Sequence, residues 1–255
     1  MDIIGRGFLA GSLTPLAGSY PQVTVLAAGV SSTPVDTAAE FRNERDLVMA
    51  TAESCRRSGR LLVFLSTASH ALYGATTAPA DESVALAPAT AYGQHKLSLE
   101  ESVRASGAPW LILRLSHVVG RGQRPHQLLP TLVRQVAAGT VTVYRGAHRD
   151  LVDVRDVVRA LDGLLARGVR DDTVNIASGT PYAIEDIVAG VERRLGTRAV
   201  RLVVDGYAVR TQVSVERLRL LVPDACPPGG RSYLEGLLDR YVHAEAAEDT
   251  VLLRE

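Results

Sequence analysis

Tyr92 and Lys96 stand four residues apart in the run Tyr92-Gly93-Gln94-His95-Lys96. On a helix that spacing puts both side chains on one face. A lysine ammonium beside a phenol stabilises the phenolate, so the tyrosine can exchange a proton with a carbonyl or hydroxyl near neutral pH. The spacing also arises by chance and carries little alone. Leu65-Ser66-Thr67-Ala68 lies just upstream, with Thr67 25 residues before Tyr92. A Ser66 or Thr67 hydroxyl at the carboxyl end of a strand can hydrogen-bond a reacting oxygen where open α/β sheets bind ligands. Such hydroxyls also serve as plain helix caps and turns. The third pattern is Gly5-x-Gly7-x-x-Ala10. Glycines there let the backbone approach a pyrophosphate, and a following helix N-terminus offers N–H donors.

The elements that must position these residues are legible in the hydrophobic pattern. Residues 2–5 form a short strand ending at glycine, and 23–28 a second buried strand. Residues 37–58 carry Phe41, Leu47, Val48 and Ala52 at helical spacing. Residues 61–66 are a continuous apolar run, as expected for a strand covered on both faces. A helix is predicted over 92–106 and a strand over 110–115. Strands alternating with helices imply a parallel α/β sheet. Further on, helices are predicted over 126–138, 154–167, 183–195 and 231–242, and short strands at 141–144, 174–176 and 200–204. The segment from Ala244 reads as a fraying tail.

The chain has 255 residues, long enough for one large domain or two. Its 28 basic and 28 acidic residues cancel, which argues against a protein built to grip nucleic acid or an anionic membrane. Cys55 and Cys226 make neither a disulfide framework nor a zinc site, and no metal site is expected. They read as thiols in a reducing cytosol, and the N-terminus lacks the pattern of a signal peptide. These readings place the protein in the cytoplasm. From Gly7 to Val35 there is no charged residue. Prolines, serines and glycines interrupt that stretch, so it reads as buried core rather than a membrane span.

Other segments stand in order around these residues: Ala27-Ala28-Gly29-Val30-Ser31-Ser32, Leu72-Tyr73-Gly74, Leu113-Arg114-Leu115-Ser116-His117-Val118-Val119-Gly120, and Arg149-Asp150-Leu151-Val152-Asp153-Val154-Arg155-Asp156-Val157. Taken jointly, the set resembles the extended short-chain dehydrogenase/reductase superfamily, the NAD-dependent epimerases, dehydratases and ketoreductases of nucleotide sugars. The resemblance implies a Rossmann-like parallel sheet with helices on both faces and a small C-terminal substrate lobe. It places a cofactor-binding core with the Tyr/Lys pair at 1–120, a segment completing the sheet and forming the lobe at 121–243, and a tail at 244–255. Only about 17 residues separate the first strand from the Ala-Ala-Gly strand. The usual second and third strands are therefore expected to be missing, and with them the acidic ribose clamp, since no Asp or Glu lies between Asp2 and Asp36. Arg6, inside the glycine turn, favours NADP(H) over NAD(H).

The resemblance also assigns roles. Tyr92 is the acid or base, Lys96 lowers its pKa, Thr67 (by register ahead of Ser66) orients the carbonyl, and Asn43 positions a water or the lysine. Cofactor contacts fall on Gly5, Arg6, Gly7, Phe8, Leu9, Ala27, Ala28, Gly29, Leu65, Tyr92, Lys96, Leu115 and His117. Substrate contacts fall on Thr67, Ser69, Ser116, His117, the segment 123–127 with Gln127, and Arg145 or Arg149 for a pyrophosphate. His117 stands where the superfamily usually has asparagine. Ala68-Ser69 replace the Asp-Glu of its dehydratases, which disfavours dehydration. The expected activity is reduction of a nucleotide-activated 4-keto-6-deoxyhexose or related keto compound. The alternatives are an epimerase with tightly held NAD and a non-catalytic cofactor-binding scaffold. Apolar positions of 44–56 and 97–103 would supply a homodimer face.

Overall fold

The uninterrupted apolar run Leu61-Leu62-Val63-Phe64-Leu65 has no polar face to show to water, so it must lie inside a sheet covered on both sides. A computed structural model, which describes residues 1–29, 38–205 and 210–252, places it there. Strands β1 (Asp2–Ile4), β2 (Val23–Leu26), β3 (Leu61–Thr67), β4 (Trp110–Leu115) and β8 (Asp172–Ile176) form one sheet in that order, every neighbouring pair parallel. Alternation along β3 splits its side chains between two cores. Leu62 and Phe64 pack with Val48, Ala52 and Leu99 of helices α2 (Ala38–Ser58) and α4 (Ala91–Arg104). Val63 and Leu65 face the other way, toward Leu13 of α1 (Phe8–Leu13) and Leu161 of α6 (Val154–Ala166). Between β3 and α4 lies the one-turn helix α3 (His70–Tyr73).

β1 pairs directly with β2, in the register Asp2 to Thr24 and Ile4 to Leu26, and only α1 and one 3-10 turn connect them. The strands expected to be missing are missing, and the charge-free stretch supplies α1 and β2. The Met1 ammonium ties this corner down by donating to the Ala17 carbonyl at 2.6 Å and the Ser19 carbonyl at 3.1 Å.

The carboxyl-side half has its own core. Helices α5 (Leu128–Ala137), α7 (Ile184–Leu195) and α9 (Gly230–Leu252) pack together over β6 (Thr140–Tyr144). β6 pairs in parallel with β10 (Val200–Val204). β5 (His117–Val119), β7 (His148–Asp153) and β9 (Pro181–Ala183) form a third small sheet, and α8 (Glu216–Leu221) follows β10. Two sequence expectations change here. The segment from Ala244 continues α9 to Leu252 instead of standing apart as a tail. Helix α3 and strands β5, β7 and β9 were not in the pattern; α3, β5 and β9 are three or four residues, too short to show a period, and β7 opens on the polar run His148-Arg149-Asp150. Among the described residues no helix is long and apolar enough to cross a membrane, and none group into a metal site. Both cysteines are free.

Candidate active site

Helix α4 begins at Thr90, whose hydroxyl caps it by accepting from the Gly93 N–H at 3.0 Å. This start is fixed by contact as well as by capping. Gly93 rests so tightly on the Ala71 carbonyl that no side chain fits there. One turn in, Tyr92 is half-buried and Lys96 buried, and the ammonium lies 5.9 Å from the centre of the Tyr92 ring and 5.4 Å from that of Phe64. The sequence brings these two groups together as its spacing requires.

The residue that meets Lys96 from α2 is Glu44. One of its oxygens accepts from Lys96 Nζ at 2.6 Å, and the other meets His95 Nε2 at 2.9 Å. Asn43, expected in that position, lies on the exposed side of α2. A helix turns 100° per residue, so adjacent residues cannot share the inner face. The signal for Glu44 was present: it sits in the stripe Phe41, Glu44, Val48, Thr51, Cys55, a lone carboxylate at core spacing.

At the end of β3 the two hydroxyls part company, because successive side chains point to opposite faces. Ser66 Oγ donates to Glu100 at 2.6 Å inside a buried network and is thereby a structural group. Thr67 Oγ1 donates to Ser69 Oγ at 3.0 Å and accepts from the Ser69 N–H at 3.2 Å, while Ser69 caps α3. Leu65 and Leu115 are core side chains, and Leu9 packs against the same core.

In the glycine turn, Gly5 has φ +140°, and a side chain there would meet the Ala27 carbonyl at 2.6 Å. Its glycine is demanded by the neighbouring strand end. Gly7 differs: open space surrounds the place of its missing Cβ, and α1 begins there with no side-chain cap on its first N–H groups. That arrangement suits a close-lying phosphate. Arg6 is exposed beside it, and the Phe8 ring packs over Gly120. Ala27 and Ala28 follow β2 half-buried, with Ala27 N–H donating to the Ile4 carbonyl at 2.8 Å; Gly29 comes next, and Val30, Ser31 and Ser32 lie outside the described residues.

On the carboxyl side, Ser116 Oγ donates to Asp150 Oδ1 at 3.0 Å, and Ser178 donates to the same oxygen through its N–H and hydroxyl. Asp150 Oδ2 has no partner among the described residues, and burial pushes this carboxyl up to about 6. His117 opens β5. Burial, with Arg149 and His70 nearby, pushes its imidazole down to about 3. His70 is lowered too, by burial first and by Arg149 second, and its Nδ1 has no partner among the described residues. Arg149 donates to the His148 carbonyl at 2.8 Å and forms no ion pair among the described residues. Burial lowers its guanidinium from the ordinary value. Arg145 is exposed and paired with Asp205 at 2.6 Å. Gln127 precedes α5 without capping it by its side chain, whose oxygen instead accepts from the Arg124 N–H at 2.9 Å; Gln123 is tied into the turn after β5. The pair Tyr92–Lys96 can move a proton; the cluster Arg149, His117 and His70 presents a cation and two neutral imidazoles.

A family model described as the NAD dependent epimerase/dehydratase family matches residues 16–177, more than half of the chain. An uncharacterized UDP-glucose epimerase, YtcB, of Bacillus subtilis is 29% identical over 156 residues, covering 58% of this chain and 49% of that protein. The dTDP-4-dehydro-6-deoxyglucose reductase of Escherichia coli is 24% identical over 148 residues, covering 54% and 47%. The chain thus spans about half the length of the curated relatives it matches. Among solved structures, UDP-glucuronic acid 4-epimerase from Bacillus cereus in complex with NAD superposes with a TM-score of 0.78 at 21% identity, over 92% of this chain and 77% of that one. At that identity the likeness shows a common fold.

Proposed function

The chain belongs to the NAD dependent epimerase/dehydratase family, and we propose that it is a nicotinamide-dependent ketoreductase for a nucleotide-activated keto-deoxysugar, of the 4-keto-6-deoxyhexose type, or a related keto compound. The observation that carries this reading is the Tyr92–Lys96 pair, one helical turn apart, with Thr67 at the carboxyl end of the central strand. The reductase relative supports it, and so does Ala68-Ser69 in place of a dehydratase acid pair.

The Gly5–Leu9 turn, the end of β2 from Ala27 to Gly29, and Lys96 would hold the cofactor, with Arg6 favouring a 2′-phosphate. When bound, a reduced nicotinamide supplies the hydride for the carbonyl carbon. Tyr92 Oη gives its proton to the carbonyl oxygen, and the Lys96 ammonium stabilises the phenolate left behind. The Thr67 hydroxyl, turning its one proton from Ser69 Oγ, donates to the same oxygen and orients it. Arg149 takes the pyrophosphate of the nucleotide, where a planar fork of donors matches paired oxygens. Residues 1–120 serve as the cofactor core and 121–243 complete the sheet and the substrate lobe.

Purified protein with NADPH or NADH and dTDP-4-keto-6-deoxyglucose should lose reduced-nicotinamide absorbance. Tyr92→Phe should cut the rate about 100-fold or more. No turnover with any keto-sugar refutes the reading. A second reading has one specific support, the epimerase relative. On it the protein carries NAD through purification and interconverts UDP-sugars without net consumption of cofactor.

A further inference from the structure

Lys96 is the only lysine in the chain; every other basic residue counted with it is arginine. Where a cation serves only for charge, this sequence uses arginine. At position 96 it keeps the compact ammonium, and the surroundings are built around that group. Glu44 and Lys96 are each 4% exposed. The carboxylate uses both oxygens, one on Lys96 Nζ at 2.6 Å and one on His95 Nε2 at 2.9 Å. Burial outweighs Glu44 and keeps the His95 imidazole below its ordinary value. A neutral imidazole can meet a carboxylate only as donor, so its proton sits on Nε2. The Phe41 ring stacks on His95 at 4.3 Å and fixes the ring plane. Gly29, at the end of β2, leaves the room: a side chain there would run into the Glu44 carboxylate and come within 3.4 Å of Lys96 Nζ.

We infer that Glu44 is the positioning residue of the Tyr92–Lys96 pair: from α2 it holds the Lys96 ammonium in place, and His95 holds Glu44. Among the described residues the groups facing this ammonium are Glu44 from α2, Tyr92 and His95 from its own helix, and the Phe64 ring from β3. Glu44 touches no reacting atom; it acts through Lys96. The inference rests on the proposed proton transfer by Tyr92, and its test separates the two.

The first arm reads turnover. Glu44→Gln keeps the shape and removes the charge. It should lower kcat about 10–100-fold, as expected for a misplaced catalytic group, with KM for cofactor and keto-sugar within about twofold of the parent. In a Lys96→Met background the same substitution should add no further loss. Unchanged kcat, or losses that multiply in the double variant, would overturn the assignment. The second arm needs no activity. Lys96 and the Met1 amine are the only amines, so acetic anhydride labelling of cofactor-free protein, read by peptide mass spectrometry, has its own internal reference. Loss of the partner charge should raise Lys96 acylation relative to Met1 about tenfold in Glu44→Gln, because an opposite charge favours the protonated amine. An unchanged ratio overturns the inference. Should Glu44→Gln fail to fold by circular dichroism, Glu44→Asp takes its place: its carboxylate, one methylene shorter, is drawn back from Lys96 Nζ, so the same sign and a smaller change are expected in both arms. Absent turnover in the parent protein refutes the proposed function alone, and the labelling still decides the role of Glu44.

Discussion

Arg114 and Arg149 are both drawn into the protein, and their neighbours could hardly differ more. Arg114 is 2% exposed and lies against Glu100, itself fully buried, with its Nη2 donating at 2.7 Å and its Nε at 3.0 Å. Tyr73 accepts from its remaining nitrogen at 2.9 Å, and Ser66 and Arg104 complete the shell around Glu100. Burial opposes the Arg114 charge, yet Glu100 and Tyr73 hold the guanidinium well above its ordinary value. For Glu100 burial again works against the charge, and Arg114, Ser66 and Arg104 bring the carboxyl below the usual range. Among the described residues Arg149 has a carbonyl and no carboxylate, and burial lowers its guanidinium. The adjacent Asp150 does not neutralise it, because β7 turns consecutive side chains to opposite faces. One arginine is spent on joining β4 to α4. The other forms no ion pair among the described residues.

The largest effect should come from breaking the first arrangement. Arg114→Met leaves a fully buried carboxylate with only Ser66 and Arg104 as partners, and loss of one side of a buried pair costs about 3–5 kcal/mol. Denaturant unfolding at constant slope should show it. Replacing both partners in Arg114→Met/Glu100→Met should recover much of the loss, since an apolar pair carries no desolvation penalty. The sign with pH follows from Glu100. Its folded value is depressed, so its contribution is present above the unfolded value and is lost as pH falls through the folded one. A loss below about 1 kcal/mol for Arg114→Met would erase the contrast between the arginines, 1 kcal/mol being roughly what an exposed pair is worth.

Asp150 sharpens the comparison from the acidic side, as a buried carboxylate with no cation. Its value rises from 3.8 to about 6 through burial, opposed by the donors from Ser178 and Ser116. Between those values the folded state holds a proton that the unfolded chain releases, so stability falls as pH rises. Asp150→Asn keeps an oxygen for those donors and removes the titration. At about 1.36 kcal/mol per pH unit, the variant should gain about 2–3 kcal/mol on the parent as pH is raised from roughly 4 to 7. Parallel stability curves over that range would show that Asp150 finds a cation in solution.

How much of this was visible beforehand follows from chain distance. β3, β4, α2 and α4 are long, regular and covered by apolar neighbours, so their periods announce them. The direct pairing of β1 with β2 was legible because too few residues lie between them for more strands. Tyr92 and Lys96 were legible because both sit on one helix. Glu44 was not, although its place in an apolar stripe marked it, because its partners are 51 and 52 residues away. Ser66 and Thr67 could be told apart only once the sheet had given each a face. Arg149 was named by resemblance; that no carboxylate meets it among the described residues follows from the folded surroundings.

Arg149→Met is the smaller and more telling test. If the guanidinium were part of the fold, its loss would cost stability as the loss of Arg114 does. A half-buried cation without an ion pair among the described residues instead contributes little to the fold, so the variant should unfold within about 1 kcal/mol of the parent. Its loss should appear in binding. A hydrogen bond to a charged group is worth about 1.5–3 kcal/mol when both partners are held, so the Kd for UDP or dTDP, measured by calorimetry, should rise about 10–100-fold. Arg149→Lys should fall between, keeping the charge and losing the planar fork that meets two oxygens at once. Unchanged nucleotide affinity together with a stability loss matching Arg114→Met would make the two arginines alike. The reverse pattern would place the nucleotide's anion at β7, on the carboxyl side of the sheet, leaving the proton chemistry to α4.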